Sequence, residues 1–448
     1  MSRTSFRSFA ALAILLVSGV AAAQDSRIIT FKEAVRIALE QNTTLRQAQN
    51  AAALGKVDVS EARGQFLPDL RLSTQGSKNF GRSFDDTGGT VVDRSSNAVS
   101  LGLSSGVTLF DGFGNVASLR QAQLNDRAGE GNLKRVRETV VFTVASNLLA
   151  LIQGQEQLRV QRENLSAAAA LEQQIQTYVD AGARTVADLY QQQAVLASAR
   201  VALVEAERTA ELAKVDLMQT LQLDPAGNYE FESPADTTTA AAAQRFELTD
   251  LLSRASTQRI DLDAEQARVA AAQQAVRIAR SNRWPTVSLS AGYSSSYNSA
   301  SELGFSDQLD LRRGGSIGLG VSVPLFDRGG TSAATRRAEI QADNANLSLI
   351  SLQQEVGLQV RRVYLDFRAA QEQLTAAESQ VRAAELALQA SADRYVAGAS
   401  TLVELTQSRA VQVEAASALV SARYNLLFER TLVDYYVGDL DPAQLAAN

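Results

Sequence analysis

Neither cysteine nor histidine occurs in the 448 residues. Their absence removes disulfides, thiolate and imidazole metal ligands, Ser-His and Cys-His nucleophiles, and every unperturbed group that titrates near neutrality. Carboxylate chemistry remains possible, but much of the range open to an enzyme is gone. The acidic pair Asp85 and Asp86 lies in a stretch of Gly, Ser and Asp that reads as solvated surface, so no reaction, cofactor or metal is expected. Aromatic residues are scarce as well: they make up 6% of a chain that is 45% hydrophobic, and most apolar surface therefore belongs to Ala, Leu and Val. Long apolar runs are missing after the first residues, and no later stretch approaches the roughly 20 apolar residues that a membrane helix needs.

The first residues read as an export signal. Arg3 and Arg7 form its basic end, residues 9–22 are largely apolar, and Ala21, Ala22 and Ala23 offer small residues for cleavage before Gln24. Residues 1–23 are taken as a signal peptide. Dropping its two arginines turns 43 basic residues into 41 against 49 acids, a net charge of −8. That balance disfavours nucleic acid or an anionic surface as the main partner. No cysteine follows the signal to carry a lipid. The exported chain is then either soluble or crosses a membrane as strands.

Proline is rare and marks the organisation. Six occur, Pro68, Pro225, Pro234, Pro285, Pro324 and Pro442. The two long proline-free intervals are rich in Ala, Leu, Gln, Glu and Arg, which favour helix most strongly. From Asn115 to Tyr178, apolar residues such as Val140, Val144, Leu148, Leu151 and Leu158 recur at helical spacing. Those 64 residues, at 1.5 Å each, make a rod of roughly 96 Å. No single globule covers such a rod, so it must pack lengthwise against other helices, as coiled coils do.

The chain also repeats itself at an offset of 216. Leu109, Phe110 and Asp111 recur as Leu325, Phe326 and Asp327, and Gly182 and Ala183 as Gly398 and Ala399. Thr185, Leu189 and Gln191 match Thr401, Leu405 and Gln407 in the same register, which holds over 90 residues. That is a duplication. Each half reads helix, two strands, very long helix, sharp turn, helix. The first repeat is placed at 24–222, with its leading helix over 31–64, strands near 67–80 and 96–110, and the long helix near 115–178. The second is placed at 246–440, with strands near 284–297 and 314–326 and the long helix near 331–395. Residues 223–245 are the linker and 441–448 a tail.

Period-two alternation identifies the strands. Leu70 and Leu72 oppose Arg71, Ser73 and Gln75, while Val99, Leu101, Leu103 and Leu109 alternate with Ser100, Gly102, Ser104 and Thr108. Val287, Leu289, Ala291 and Tyr293, then Ile317, Leu319, Val321, Val323 and Leu325, repeat the pattern. Such strands suit a barrel with lipid outside and water inside, and equally a soluble hairpin on a core. Four strands cannot close a membrane barrel, and an open edge cannot sit in lipid. Strands that cross a membrane must therefore be pooled by several chains. Polar loops at 81–95 and 298–313 then lie on one side and all helices on the other, with Trp284 and Tyr293 at headgroup level.

The order and spacing of these features resemble the TolC-type outer-membrane efflux and export channels. The resemblance covers the whole mature chain: the signal, the duplication, Leu67 and Pro68 echoed by Trp284 and Pro285, and Pro324 to Asp327 leading through Gly329 and Gly330 into a helix. Tyr395, Gly398, Thr401, Glu404 and Leu405 look like the family's helix-hairpin tip, and Ala422, Arg423, Tyr424 and Asn425 resemble a stretch of the helix that follows. The resemblance implies a mainly α fold with a membrane β-barrel part. In it, a homotrimer shares one twelve-stranded barrel in outer-membrane lipid, four strands per chain, continued by an α-helical tunnel across the periplasm. It implies as partners a periplasmic adaptor (membrane fusion) protein and an inner-membrane RND or ABC transporter. The chain is then a passive exit duct of a tripartite efflux or type I secretion system.

At the tip a helix must reverse within a few residues, which Gly182 and Gly398 allow through positive φ. Thr185 and Thr401 read as caps of the returning helices, with Asp188 and Glu404 in the first turn, where negative charge suits the dipole. The resemblance adds a gate, in which acids and a Tyr/Arg network from three copies constrict the tunnel. Carried over position by position, Glu404 falls at a constriction carboxylate, Gln407 where some members have a second acid, and Tyr395, Arg184 and Asp188 at network positions. Gln407 is neutral, and Ser400 stands where the second repeat can carry an arginine, so the electrostatic ring holds three charges rather than six. Gly182, Ala183, Thr185, Gly398, Ala399, Ser400 and Thr401 form the exposed segment expected to meet the adaptor.

The alternative is an exported periplasmic coiled-coil structural protein, or the adaptor itself, without a membrane barrel. It shares the long helices but has no need of alternation in four strands. Heat-modifiable trimers in detergent-extracted outer membrane distinguish the channel from a soluble periplasmic species.

Overall fold

The computed structural model describes residues 27–85, 89–232 and 238–440. The expected signal peptide, Asp86, Pro234 and the 441–448 tail lie outside them. In chain order, β1 (Arg27–Ile29) leads into α1 (Phe31–Gln41) and α2 (Thr43–Gly64). The hairpin of β2 (Arg71–Asp85) and β3 (Thr90–Phe110) follows, then α3 (Gly114–Asp180) and α4 (Val186–Leu221). The linker region holds β4 (Tyr229–Phe231) and α5 (Thr238–Ala243), and α6 (Leu248–Gln258) and α7 (Ile260–Ser281) come next. Strands β5 (Thr286–Asn298) and β6 (Gly314–Ser322) flank the short α8 (Phe305–Leu311), and α9 (Gly330–Val396) and α10 (Leu402–Val437) complete the fold.

Helices α3 and α9 each have 67 residues, and α4 and α10 each have 36. At 1.5 Å per residue the long pair spans about 100 Å. Each long helix folds back on its shorter partner, and α7 lies between α3 and α9. On α9 the buried residues Val356, Val360, Val363, Phe367, Ala370, Leu374 and Ala377 advance by alternating steps of four and three. That 3.5-residue period keeps one seam turned to the neighbour, here Leu426, Val433 and Val437 of α10 and Leu251 of α6. A second core gathers α1, β1 and β4 around Val144, Leu148 and Leu151 in the middle of α3.

One expectation about this helix is corrected. An 18-residue stretch within Gly114–Asp180 reaches a mean hydropathy of 1.2, enough for a membrane helix. The cause is the density of Val, Leu and Ile between Val140 and Ile152, of which Val140, Val141, Val144, Leu148, Leu151 and Ile152 are buried in the core with α1 and the end of α4.

The leading helix expected over 31–64 is two helices. Asn42 stops the first and caps the second: its side chain accepts from the Leu45 N–H at 3.1 Å and donates to the Thr220 carbonyl at 3.2 Å. Arg259 divides α6 from α7 at the matching place in the second half. The linker is not irregular throughout, since β4 pairs in parallel with β1 and α5 packs on α10.

The larger sheet has the order β2-β3-β5-β6 and is antiparallel throughout. Most of the segment expected as a loop at 81–95 is ladder, with Phe84 opposite Val91 and Phe80 opposite Ser95. Backbone pairing satisfies itself whatever the side chains are, so polar residues do not end these strands. The segment 298–313 carries α8, pinned by Gln308, whose side chain accepts from the Asn298 N–H at 2.9 Å and donates to the Leu303 carbonyl at 2.7 Å. β6 stops at Ser322 rather than at 326, because Pro324 has no N–H to give to a ladder. Apart from α8 against β5, the sheet is largely bare: Leu72, Ile317 and Leu319 are 78%, 83% and 64% exposed. Strands β2 and β6 are its two edges.

Candidate functional site

At the end of the molecule remote from the sheet, α3 turns into α4 and α9 into α10. Gly182 (φ +72°) and Gly398 (φ +71°) make the two reversals. The Ala183 N–H donates to the Tyr178 carbonyl and the Ala399 N–H to the Arg394 carbonyl, each at 2.7 Å, so both helices close with the same wrap. Each returning helix is capped by threonine. Thr185 Oγ1 accepts from the Asp188 N–H and Thr401 Oγ1 from the Glu404 N–H, both at 3.2 Å. Asp188 reciprocates, accepting from the Thr185 N–H at 3.2 Å and from its hydroxyl at 2.9 Å. Glu404 instead faces Arg394 at 3.5 Å.

Arg184 joins the two turns. Its guanidinium donates to the Tyr395 carbonyl at 3.1 Å and lies over the Tyr395 ring, 4.4 Å from the centroid. Tyr395 is buried in a small core with Leu171, Ile175, Leu189, Leu402 and Leu405. Its hydroxyl has no hydrogen-bond partner within the single chain. Burial pushes the phenol above its ordinary range, Arg184 opposes that, and Asp188 and Tyr178 add to it.

The expected residues therefore fall into two groups. Arg184, Tyr395 and Asp188 come together, whereas Glu404 and Gln407 are exposed on the first turns of α10. Gly182, Ala183, Thr185, Gly398, Ala399 and Thr401 are exposed, and Ser400 is half-buried with its hydroxyl donating to the Ser391 carbonyl at 3.4 Å. Three residues escaped the sequence reading: Arg394, and Ser391 and Ser408, whose hydroxyls lie 2.8 Å apart. Pairs 394/404 and 391/408 are both centred near 399, the symmetry that a hairpin at Gly398 imposes, and that symmetry is the signal that finds them.

Elsewhere, a cavity of about 790 Å³ opens between α3, α9 and α10, lined by uncharged side chains that include Asn147, Gln153, Gln373, Gln380, Tyr424 and Phe428. Among the described residues no group of three or more acids could hold a metal ion.

A long-helix tip on one end and a bare sheet on the other are matched by comparison with known proteins. The model of the family described as outer membrane efflux protein matches residues 34–221 and 251–433. The chain belongs to the outer membrane efflux protein family. Protein CyaE of Bordetella pertussis is 31% identical over 388 residues, 84% of this chain and 77% of that protein. The pyoverdine export outer membrane protein OpmQ of Pseudomonas aeruginosa is 26% identical over 385 residues, 85% of this chain and 77% of its own length. The CmeC outer membrane channel of Campylobacter jejuni shares the fold, with a TM-score of 0.79 at 17% identity over 92% of this chain and 88% of that one. The family consists of channels rather than enzymes, and membership makes this chain an outer-membrane efflux or export duct whose helical part lies in the periplasm.

Proposed function

We propose that three copies of the chain pool their sheets into one twelve-stranded barrel in outer-membrane lipid and stand their helices side by side as a tunnel. The observation that carries this reading is the bare sheet with two free edges. An unpaired edge cannot persist in hydrocarbon, and β6 of one copy against β2 of the next removes it. The halves 24–222 and 246–440 act as two structural repeats, so three chains supply six helical hairpins. Val201, Val204 and Val215 on α4 and Leu347, Leu358 and Leu365 on α9 are exposed in the single chain and serve as surfaces for neighbouring copies.

The duct is passive. An inner-membrane RND or ABC transporter supplies the energy and hands substrate over through a periplasmic adaptor. Arg184, Asp188 and Tyr395, with Glu404 and Gln407, form the periplasmic gate. The Gly182, Ala183 and Thr185 turn and the Gly398 to Thr401 turn receive the adaptor. Light scattering of the detergent-extracted chain and planar-bilayer recording test this: trimers with discrete conductance steps support it, and a monomer stable in buffer without detergent overturns it. Crosslinks from Arg184 or Ser400 to a co-expressed adaptor support the docking assignment, and crosslinks only from the barrel end defeat it.

A further inference from the structure

The turn that leads from each strand pair into its long helix holds two consecutive left-handed residues. They are Gly112 (φ +70°) and Phe113 (φ +69°) before α3, and Arg328 (φ +56°) and Gly329 (φ +79°) before α9. The turns are otherwise alike: Asp111 Oδ2 accepts from the Asn115 N–H and Asp327 Oδ2 from the Thr331 N–H, each at 2.6 Å. In each turn glycine takes one left-handed position and a full side chain takes the other, a conformation that Cβ disfavours. Strain retained at equivalent places points to a use for what those residues present. They present a phenyl ring, 68% exposed, and an exposed guanidinium.

These side chains belong to one row along the helix-side end of the sheet. Phe110 meets Phe113 edge to face at 5.5 Å. Trp284 lies against the same turn, since a Cβ on Gly112 would come within 2.6 Å of the Trp284 Cβ. Exposed Arg283 precedes Trp284. Phe110 pairs with Val287 near the start of β5, and Thr286 pairs with Ser322 at the end of β6, so Arg328 follows from the adjacent strand. Phe326, also exposed, stands two residues before it.

Charge at this level differs from that of the whole chain, which carries −6. Most acids here are engaged, Asp69 with Arg71 at 2.7 Å, Asp111 and Asp327 with backbone N–H groups, and Glu339 with both Arg280 and Arg336, while Asp58 and Glu61 on α2 form no salt bridge among the described residues. Arg120, Arg283, Arg328 and Arg337 have no acid within ion-pair distance among the described residues. Exposed aromatic rings beside uncompensated arginines are the chemistry of a membrane surface rich in phosphate.

We propose that this junction binds anionic glycerophospholipid, with Arg283 and Arg328 taking the phosphate and Phe113, Trp284 and Phe326 lying at headgroup depth. The inference rests on the barrel reading, which sets this end of the sheet at the leaflet facing the periplasm. Lipopolysaccharide is anionic too, but occupies the opposite leaflet, at the end of the strands that carries α8.

The full chain, extracted in neutral detergent, is incubated with equal amounts of phosphatidylglycerol and phosphatidylcholine, and retained lipid is counted by native mass spectrometry. Phosphatidylglycerol is expected to be preferred about tenfold, and Arg283→Gln and Arg328→Gln are each expected to lower that preference about fivefold. Arg200→Gln, exposed on α4 away from the junction, leaves it unchanged. Arg328→Gly separates ligand from structure: it relieves the left-handed strain, so the melting temperature holds or rises while the preference falls. Equal retention of the two lipids by an intact trimer overturns the lipid assignment and leaves the barrel reading standing. So does a preference that survives in the Arg283→Gln, Arg328→Gln double variant, or one for lipopolysaccharide over phosphatidylglycerol. A chain that is monomeric in buffer and retains neither lipid overturns both.

Discussion

Arg184 holds Tyr395 twice, through the backbone carbonyl at 3.1 Å and through the ring at 4.4 Å. One side chain from the first half thus ties down the last helical turn of α9 in the second. A charge-assisted hydrogen bond and a partly desolvated cation–π contact each contribute on the order of 1–2 kcal/mol. Arg184→Ala is expected to loosen the tip and raise single-channel conductance in planar bilayers. Arg184→Lys keeps the charge but loses the planar stack and is expected to fall between the two. Equal conductance in all three would show that this link does not close the duct.

Glu404 and Asp188 separate charge from helix capping. Asp188 closes a reciprocal cap with Thr185, whereas the Glu404 side chain faces Arg394. Glu404→Gln is expected to raise conductance and weaken block by divalent cations with little change in stability. Asp188→Ala adds the loss of a cap, about 1 kcal/mol, which should appear as faster amide exchange in the first turn of α4. Unaltered cation sensitivity in the Glu404 variant would remove it from the gate.

Glu429 predicts a pH dependence. It lies between Leu426 and Val433 on α10, and its Oε2 is buried without a partner in the single chain. Burial, with Asp366 on α9 adding like-charge repulsion, pushes its carboxyl up to about 7 from an ordinary 4.5. The folded chain therefore holds this proton longer than the unfolded one, so stability falls as pH rises from about 4.5 to about 7 and stays lower above that. Glu429→Gln is expected to flatten this part of the profile, raising the melting temperature at pH 8 and leaving it unchanged at pH 4. A slope that persists in the variant would assign the effect elsewhere.

Two glycines with nearly the same φ should respond differently to alanine. At Gly182 (φ +72°) a Cβ meets open space, so Gly182→Ala carries only the left-handed penalty, about 1–2 kcal/mol. At Gly112 (φ +70°) a Cβ would stand 2.6 Å from the Trp284 Cβ and 2.7 Å from the Ser281 carbonyl oxygen. Overlap with a packed wall adds about 1–3 kcal/mol. Urea unfolding should find Gly112→Ala the weaker of the two, and equal midpoints would contradict the close approach.

The mainly helical fold and its family are legible in the chain because proline-free intervals, one apolar period and a repeat all agree. The breaks at Asn42 and Arg259 are less so. Arg259 is no helix breaker by propensity, and Asn42, a favoured cap, also binds the Thr220 carbonyl, 178 positions away. The extended hairpin hides for the opposite reason: polar residues on both of its faces imitate a loop while the backbone pairs. At the tip, pattern picks out the turn residues, but it does not show that Arg184 reaches Tyr395 across 211 positions. The repeat register, which sets Arg184 level with Ser400, brings that contact closest to being read in advance.

Across the larger sheet Arg71 stands opposite Ser104, Ser104 opposite Gly292, and Gly292 opposite Ser316. Arg71 is the foot of β2, yet six further residues of β6 descend below Ser316. Strands β3 and β5 also reach six residues below this row, so the foot of the sheet steps down once, between β2 and the other three strands. Strands that close into a barrel lean, by about 35–45°. In the proposed trimer, helices springing from leaning strands start out circling the axis. Its tunnel wall is then wound at the root.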